Sequence, residues 1–101
     1  FYGCESLFSI DFIRCPNVTA VGEKAFLLCS SLTTVLLPPK ITSIGNNAFY
    51  RCDRLSHLTL PPILNSIGDS AFYSCSSLTE LQLPPSLKSI GVAAFYCCSS
   101  L

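Results

Sequence analysis

Apolar residues recur along this chain at set offsets within a unit of about 23 residues. The clearest unit spans residues 72–94 and combines the frame Leu78-x-x-Leu81-x-Leu83 with a proline pair and a Ser-Ile-Gly segment. Variants of this unit account for the whole sequence, which predicts a single repeat array. The repeats are 1–25, 26–48, 49–71, 72–94 and the partial repeat 95–101.

The leucine frame predicts a short strand in every repeat, because its second half alternates apolar and polar residues. In the fourth repeat Pro84 and Pro85 follow directly. Proline has no N–H group for a ladder hydrogen bond, so the strand should end there. We expect the equivalent strands of successive repeats to stack in parallel. Residues 87–91 alternate again and predict a second, weaker strand.

Glycine follows the second strand in each repeat and predicts a corner, since glycine adopts positive φ at little cost. Its positions are Gly22, Gly45, Gly68 and Gly91. After each corner the apolar residues lie at intervals that place them on one face of a short helix. In the third repeat these residues are Ala48, Phe49, Cys52 and Leu55. Asn46 and Asp69 lie near the predicted helix start, where both residue types are favoured.

The first repeat is longer than the others, since residues 12–22 carry two extra residues and lack the proline pair. This difference predicts a bulged loop between the strand and the corner. The loop contains the sequon Asn17-Val18-Thr19, which would be glycosylated at Asn17 in a secreted protein of a eukaryotic host.

A period of twenty-odd residues with leucine at set offsets is typical of a leucine-rich solenoid. The pattern Leu-x-x-Leu-x-Leu-Pro, followed by Ser-Ile-Gly-x-x-Ala-Phe-x-x-Cys-x-Ser-Leu, resembles the BspA-type leucine-rich repeats found on surface proteins of some bacteria and many protozoa. The resemblance covers all 101 residues. We therefore predict an α/β repeat solenoid, a right-handed leucine-rich-repeat superhelix with parallel short strands on one side and short helical turns on the other.

Family resemblance also implies a function and a location. It implies a protein-binding or adhesion module that presents an extended surface, at the cell surface or secreted. The alternative is a purely structural spacer in a larger surface or signalling protein. Both ends of the sequence fall within the repeat pattern, so we expect a fragment of a longer protein whose uncapped ends self-associate when it is isolated.

Composition narrows the range of partners. Half of the residues are hydrophobic, 12% are charged, and six acidic residues balance six basic ones. A neutral chain without a basic run has no electrostatic attraction for nucleic acid or an anionic membrane. The longest apolar run, residues 35–39, is far shorter than the roughly 20 residues that a membrane helix requires. No nucleic-acid binding and no membrane insertion are therefore expected of this segment.

The positions of the leucine frame that point out of the predicted sheet form two columns. The first contains Ser9, Thr34, His57 and Glu80, and the second contains Asp11, Leu36, Thr59 and Gln82. Because the strand side of a solenoid forms an extended concave face, these eight residues are the predicted binding surface for a protein or glycan. Neither column has the Trp, Tyr or Arg that binding hot spots favour, so mere solvation of the face stays open.

Aromatic residues occupy two further repeat positions. The core position contains Phe1, Phe26, Phe49, Phe72 and Phe95. The next position contains Tyr2, Tyr50, Tyr73 and Tyr96, with Leu27 in the second repeat. These tyrosines predict a stripe along the turn side, which either covers the groove between repeats with its hydroxyl groups in water or contacts a partner.

Five of the seven cysteines share one repeat position and predict a column with neighbours about 5 Å apart. They are Cys4, Cys29, Cys52, Cys75 and Cys98. Side chains in a ladder point the same way, which favours buried thiols over the alternative, an alternating disulfide ladder. Cys15 and Cys97 lie outside the column and are predicted to be exposed. With one histidine and no Cys-x-x-Cys motif, neither a metal site nor a cofactor is predicted.

Catalysis is not expected, although Ser9 and His57, with Asp11 or Glu80, have the residue types of a hydrolytic triad. Ser9 and His57 lie two repeats apart, roughly 10 Å by strand spacing. A nucleophile and its base need a separation of about 3 Å. An open sheet also lacks the closed pocket that excludes water.

Overall fold

The computed structural model describes residues 2–101 as a β-solenoid of about four turns with parallel strands. The first sheet contains β1 (Ser9–Asp11), β3 (Thr34–Leu36) and β5 (His57–Thr59), in that order. The second sheet contains β2 (Ala20–Val21), β4 (Ser43–Ile44), β6 (Ser66–Ile67) and β7 (Ser89–Ile90).

The strand predictions are confirmed for the first three repeats. The central residues of β1, β3 and β5 are Ile10, Val35 and Leu58, and all three are buried. Their strand neighbours point outward, as a period of two requires. The weaker second strand forms in every repeat, although it is only two residues long.

The fourth strand of the first sheet is missing. Residues 79–83 have the same leucine frame, but the structure gives them no strand. A difference in strand propensity explains this: Thr34-Val35 in β3 is β-branched, whereas Glu80-Leu81-Gln82 has no β-branched residue. The second sheet is unaffected and continues to β7.

The prediction of short helices is wrong, because residues 2–101 contain no helix. Alternate N–H groups on this side donate to the next repeat instead of within their own: Phe49 N donates to Ala71 O at 2.7 Å and Arg51 N to Tyr73 O at 2.8 Å. An α-helix would use these groups for bonds to the fourth preceding residue. The intervening residues form turns, such as the 3.2 Å bond from Tyr50 N to Asn47 O.

Positive φ falls at other positions than the predicted ones. None of the four corner glycines has a positive φ, which instead occurs two and six residues after the corner at values of 51–62°. The residues are Lys24, Leu28, Asn47, Arg51, Ser70, Ser74, Ala93 and Cys97. Gly3, at φ 65°, is the glycine at an equivalent position. The ladder between repeats holds non-glycine residues in a conformation that they adopt rarely.

Asn46 and Asp69 cap the neighbouring repeat rather than a helix. Asn46 Oδ1 accepts a hydrogen bond from Asp69 N at 2.8 Å, and Asp69 Oδ1 accepts one from Val92 N at 2.7 Å. Their predicted place at a helix start is wrong, since residues 2–101 form no helix, and their side chains accept hydrogen bonds from backbone N–H groups across the interface between repeats instead.

A phenylalanine column forms the core. The rings of Phe26, Phe49 and Phe72 stack with centroids 5.2 Å apart, and Phe95 follows at 5.3 Å. Phe49 and Phe72 are fully buried. The core prediction is thereby confirmed for Phe26, Phe49 and Phe72, while Phe95 is half-buried against the same core. Phe1 lies outside the described part of the chain.

Candidate binding surfaces

The outward columns of the strand side are assembled for three repeats. The register pairs Ser9 with Thr34 and Thr34 with His57, so these three residues follow one another across the sheet. The second column is formed in the same way by Asp11, Leu36 and Thr59. Leu36 is the exposed aliphatic side chain of the two columns, with 40% of its surface accessible. A groove of about 560 Å³ runs over β3 and β5 and reaches Glu80.

Glu80 and Gln82 are exposed but do not extend the columns within the sheet. They lie beyond β5, where a second groove of about 400 Å³ is lined by Leu58, Thr59, Glu80 and Gln82, among others. The predicted eight-residue face is therefore a six-residue sheet surface with two further polar side chains beside it.

A serine that the sequence did not single out contacts the only histidine. Ser56 Oγ lies 2.9 Å from His57 Nδ1 and also 3.4 Å from Thr33 O. Thr33 bonds to Phe8 O in the same way, at 2.9 Å, so this position links successive repeats. Ser or Thr at this repeat position in the second, third and fourth repeats, at residues 33, 56 and 79, was the available signal. The contact orients the imidazole on the strand face.

The triad residue types are not brought together. Ser9 and His57 flank Thr34 in the register and are thus separated by two strand spacings, roughly 10 Å. Ser56 is the residue directly before His57, and its hydroxyl group contacts His57 Nδ1. The role of Ser56 is therefore to position the imidazole ring.

The tyrosine stripe is present on the turn side. Tyr50 and Tyr73 stack with centroids 4.7 Å apart, and Tyr73 and Tyr96 with centroids 5.4 Å apart. Desolvation beside these rings raises the pKa of Tyr73, and the nearby Cys97 adds to the effect. Because the rings cover one another, a partner would meet their edges and hydroxyl groups rather than their faces. A polar groove of about 470 Å³ lies along the stripe, with Arg51 and Asp53 among its lining residues.

Three thiols of the cysteine column, those of Cys52, Cys75 and Cys98, bond to a carbonyl group of the preceding repeat. Cys52 Sγ donates to Phe26 O at 3.1 Å, and Cys75 Sγ donates to Phe49 O at 3.2 Å. Burial raises the pKa of Cys52 to about 12 from its ordinary value of 9.0, with the charge of Cys29 as a further cause. Burial also raises the pKa of Cys75. The predicted burial is confirmed for Cys29, Cys52 and Cys75, whereas Cys4 and Cys98 are only half-buried.

Alkaline pH should destabilise the protein through these thiols. The unfolded thiol of Cys52 ionises near pH 9, whereas the folded one retains its proton up to about pH 12. The folded state therefore binds more protons in this window, and its stability falls as the pH rises. Between pH 8 and pH 10, we expect the free energy of unfolding to fall by about 1.4 kcal/mol less in Cys52→Ala than in the native chain.

Urea denaturation at pH 8 and pH 10 measures this difference. Cys15→Ala is the matched control, because Cys15 is exposed. It should show the same loss as the native chain. An equal loss in the Cys52 variant would contradict the buried, protonated state of that thiol.

The remaining predicted features can be placed directly. Cys15 and Cys97 are exposed, as expected. Asn17 is exposed in a turn of the first-repeat loop. Within residues 2–101 no group of three or more His, Cys, Asp or Glu side chains is arranged to hold a metal ion. The described residues also include no helix that could cross a membrane.

Comparison with known proteins gives consistent matches. The family model for the BspA type leucine rich repeat region matches residues 1–101 with six copies. The crystal structure of a leucine-rich repeat protein from Treponema pallidum superimposes on this chain with a TM-score of 0.90 at 38% sequence identity. The aligned region covers 100% of this chain and 46% of the Treponema protein. A comparison with curated proteins found no match.

Two further solved structures have the same architecture. A leucine-rich repeat protein from Bacteroides ovatus has a TM-score of 0.84 at 36% identity. The aligned region covers 100% of this chain and 31% of the Bacteroides protein. A leucine rich cell surface protein from Faecalibacterium prausnitzii has a TM-score of 0.71 at 29% identity. The aligned region covers 100% of this chain and 33% of the Faecalibacterium protein. The chain thus spans less than half the length of each of these proteins.

Proposed function

Since this chain belongs to the BspA-type leucine-rich repeat family, we propose that it is a protein-binding module that uses the strand face for adhesion at a cell surface. The observation that carries this proposal is the pair of outward columns, held in register on one parallel sheet. Leucine-rich repeat modules generally bind proteins. The Faecalibacterium neighbour is described as a cell surface protein, which supports the proposed location.

Binding would arise from many small contacts along the columns. The sheet is short and its outward face is polar. Residues of β3 and β5, together with Glu80, line the groove that runs over it. Leu36 provides an apolar contact, while Thr34, His57 and Thr59 provide hydrogen-bonding groups around it. A rigid array of this kind loses little conformational entropy on binding, which lowers the cost of association.

A spacer is the second candidate function. The observation in its favour is the composition of the columns, which contain no Trp, Tyr or Arg and a single aliphatic side chain. In this alternative the solenoid holds a binding region located elsewhere in a longer protein. Asn17 would carry a glycan in either case if the host is eukaryotic and the protein is secreted.

Binding to an array of extracellular proteins and glycans distinguishes these functions. The test compares the native chain with a variant in which Thr34, Leu36, His57, Thr59, Glu80 and Gln82 are changed together to alanine. We expect the native chain to bind at least one protein and the variant to lose that binding. A variant that retains binding would transfer the site to the tyrosine stripe, and a native chain that binds nothing on the array would favour the spacer.

A further inference from the structure

The first sheet has an open edge in the middle of the solenoid. In the second sheet β6 pairs with β7 across the third and fourth repeats, with Ile67 opposite Ile90. At the same level of the first sheet, no backbone hydrogen bond joins β5 to residues 79–83 in the described part of the chain. The strand side is thus interrupted where the other side continues.

Backbone groups of Leu58 face this open edge. His57 N donates to Thr33 O at 3.0 Å and so points toward β3. In a parallel ladder the groups of successive residues point to opposite sides of the strand. The N–H and C=O groups of Leu58 therefore point away from β3, toward a side on which no strand within residues 2–101 pairs with β5.

Space for a polypeptide adjoins this edge. The two grooves of about 560 and 400 Å³ both touch Leu58, Thr59 and Glu80. Both grooves are open to solvent, as a site for an extended segment must be. Leu58 keeps its side chain in the core, with 8% of its surface exposed, so the edge offers main-chain groups more than apolar surface.

The adjacent segment of the chain lies beside this edge without pairing to it. Glu80-Leu81-Gln82 has the correct frame but low strand propensity, and Glu80 and Gln82 stay in solvent. Leu81 is half-buried against the core, so an apolar residue of a partner would have to take its place. By contrast, Thr34-Val35-Leu36 forms β3 and pairs on both sides. A segment with β-branched residues at these positions should therefore pair with β5 more readily than the chain's own.

We propose that the open edge of β5 binds an extended segment of a protein partner by parallel strand addition. The inference rests on the proposed protein-binding function and specifies the chemistry of the partner. The partner supplies main-chain donors and acceptors for Leu58, and its side chains alternate between apolar residues toward the core and polar residues toward solvent. Unpaired strand edges are templates for this mode of recognition.

A fluorescent peptide with the sequence of residues 31–38, Ser-Leu-Thr-Thr-Val-Leu-Leu-Pro, provides the probe. In the solenoid the N–H of the residue at position 34 of this sequence points to the preceding repeat, at 3.4 Å from Phe8 O. We expect saturable binding of the peptide to the protein, measured by fluorescence anisotropy. N-methylation at the positions of Thr34 and Leu36 should weaken it about tenfold or more, because two hydrogen bonds are lost.

The same peptide N-methylated at the positions of Val35 and Leu37 is the matched control. Its modified groups would face away from β5, so its affinity should stay within about threefold of the parent peptide, well short of the loss of a hydrogen bond. Equal weakening by both methylation patterns, or no binding of the parent peptide, would overturn the proposal.

Hydrogen exchange of the free protein tests the open edge independently. We expect the amide of Leu58 to exchange at least about a hundredfold faster than that of Val35, which lies between two strands. The double variant Glu80→Thr, Gln82→Val should slow exchange at Leu58 and weaken peptide binding, because the chain's own segment then pairs with β5. Equal protection of both amides in the native protein would show that the edge is closed and overturn the proposal.

These results are separable from those that test the strand face. Loss of array binding in the six-residue variant, combined with a closed edge, would retain the proposed function and reject strand addition. Peptide binding that follows the methylation pattern supports strand addition even if the array yields no partner for the outward side chains.

Discussion

Replacing Phe49 with alanine is expected to lower the free energy of unfolding by about 3–5 kcal/mol, the range found for buried phenylalanine. The ring is fully buried and stacks on Phe26 and Phe72 with centroids 5.2 Å away on either side. Its loss leaves a cavity at two interfaces between repeats and removes both aromatic contacts. In a solenoid, stability is nearly a sum over such interfaces, so the third repeat should open first.

Urea denaturation followed by circular dichroism measures this effect, with hydrogen exchange to locate it. Phe8→Ala is the matched control, because it removes the same atoms from a side chain that is 61% exposed. That change should cost no more than about 0.5 kcal/mol. Similar stabilities for the two variants would mean that Phe49 does not occupy the core position that the repeat register assigns to it.

The strand side follows from the sequence because each position there has one physical requirement. An alternating frame buries every second residue, and the proline pair stops the ladder, so Val35 and Leu58 could be placed in the core and Leu36 and Thr59 outside it. The missing fourth strand depends on a balance of propensities. Glu80-Leu81-Gln82 satisfies the frame but not the preference for β-branched residues.

The turn side could not be derived in the same way. Ala48, Phe49 and Cys52 point inward in the structure, as they would on a helix, since two consecutive turns satisfy the same spacing. Whether this segment forms a helix or two consecutive turns depends on hydrogen bonds between repeats, such as the one from Phe49 N to Ala71 O. A pattern of apolar residues carries no information about these bonds.

The binding surface was predicted only in part. The two columns follow from the register of the strands, and their six sheet residues lie where the frame places them. Ser56 was missed because its role depends on the direction of one hydroxyl group toward His57. The leucine frame alone predicts a continuous ladder, so the open edge at Leu58 follows from the sequence only when the low strand propensity of Glu80-Leu81-Gln82 is weighed against that frame.

Substituting alanine for glycine should have opposite effects at two equivalent corners. An added Cβ at Gly68 would lie 2.6 Å from Asn46 N and 2.8 Å from Gly45 C, both of which are backbone atoms of the preceding repeat. It would also displace Asn46 Oδ1, which accepts the hydrogen bond from Asp69 N. Because backbone cannot rotate away, we expect Gly68→Ala to cost about 3 kcal/mol, the upper end for overpacking.

Gly22 occupies the same position of the repeat without that contact. A Cβ added there meets no atom within 4 Å, and its φ is not positive. Gly22→Ala should therefore leave stability unchanged or raise it by up to about 1 kcal/mol, since alanine has less conformational freedom to lose on folding. Thermal melting of both variants measures the difference.

A difference of this sign would show that these glycines are needed for the close approach of successive repeats rather than for backbone conformation. Glycine would then be required wherever the corner packs against the corner of the preceding repeat, as at Gly45, Gly68 and Gly91. Equal destabilisation by both substitutions would instead indicate a conformational requirement at the corner itself, contrary to the φ values. The spacing between repeats, and with it the curvature of the strand face, would depend on a single missing methyl group in each repeat.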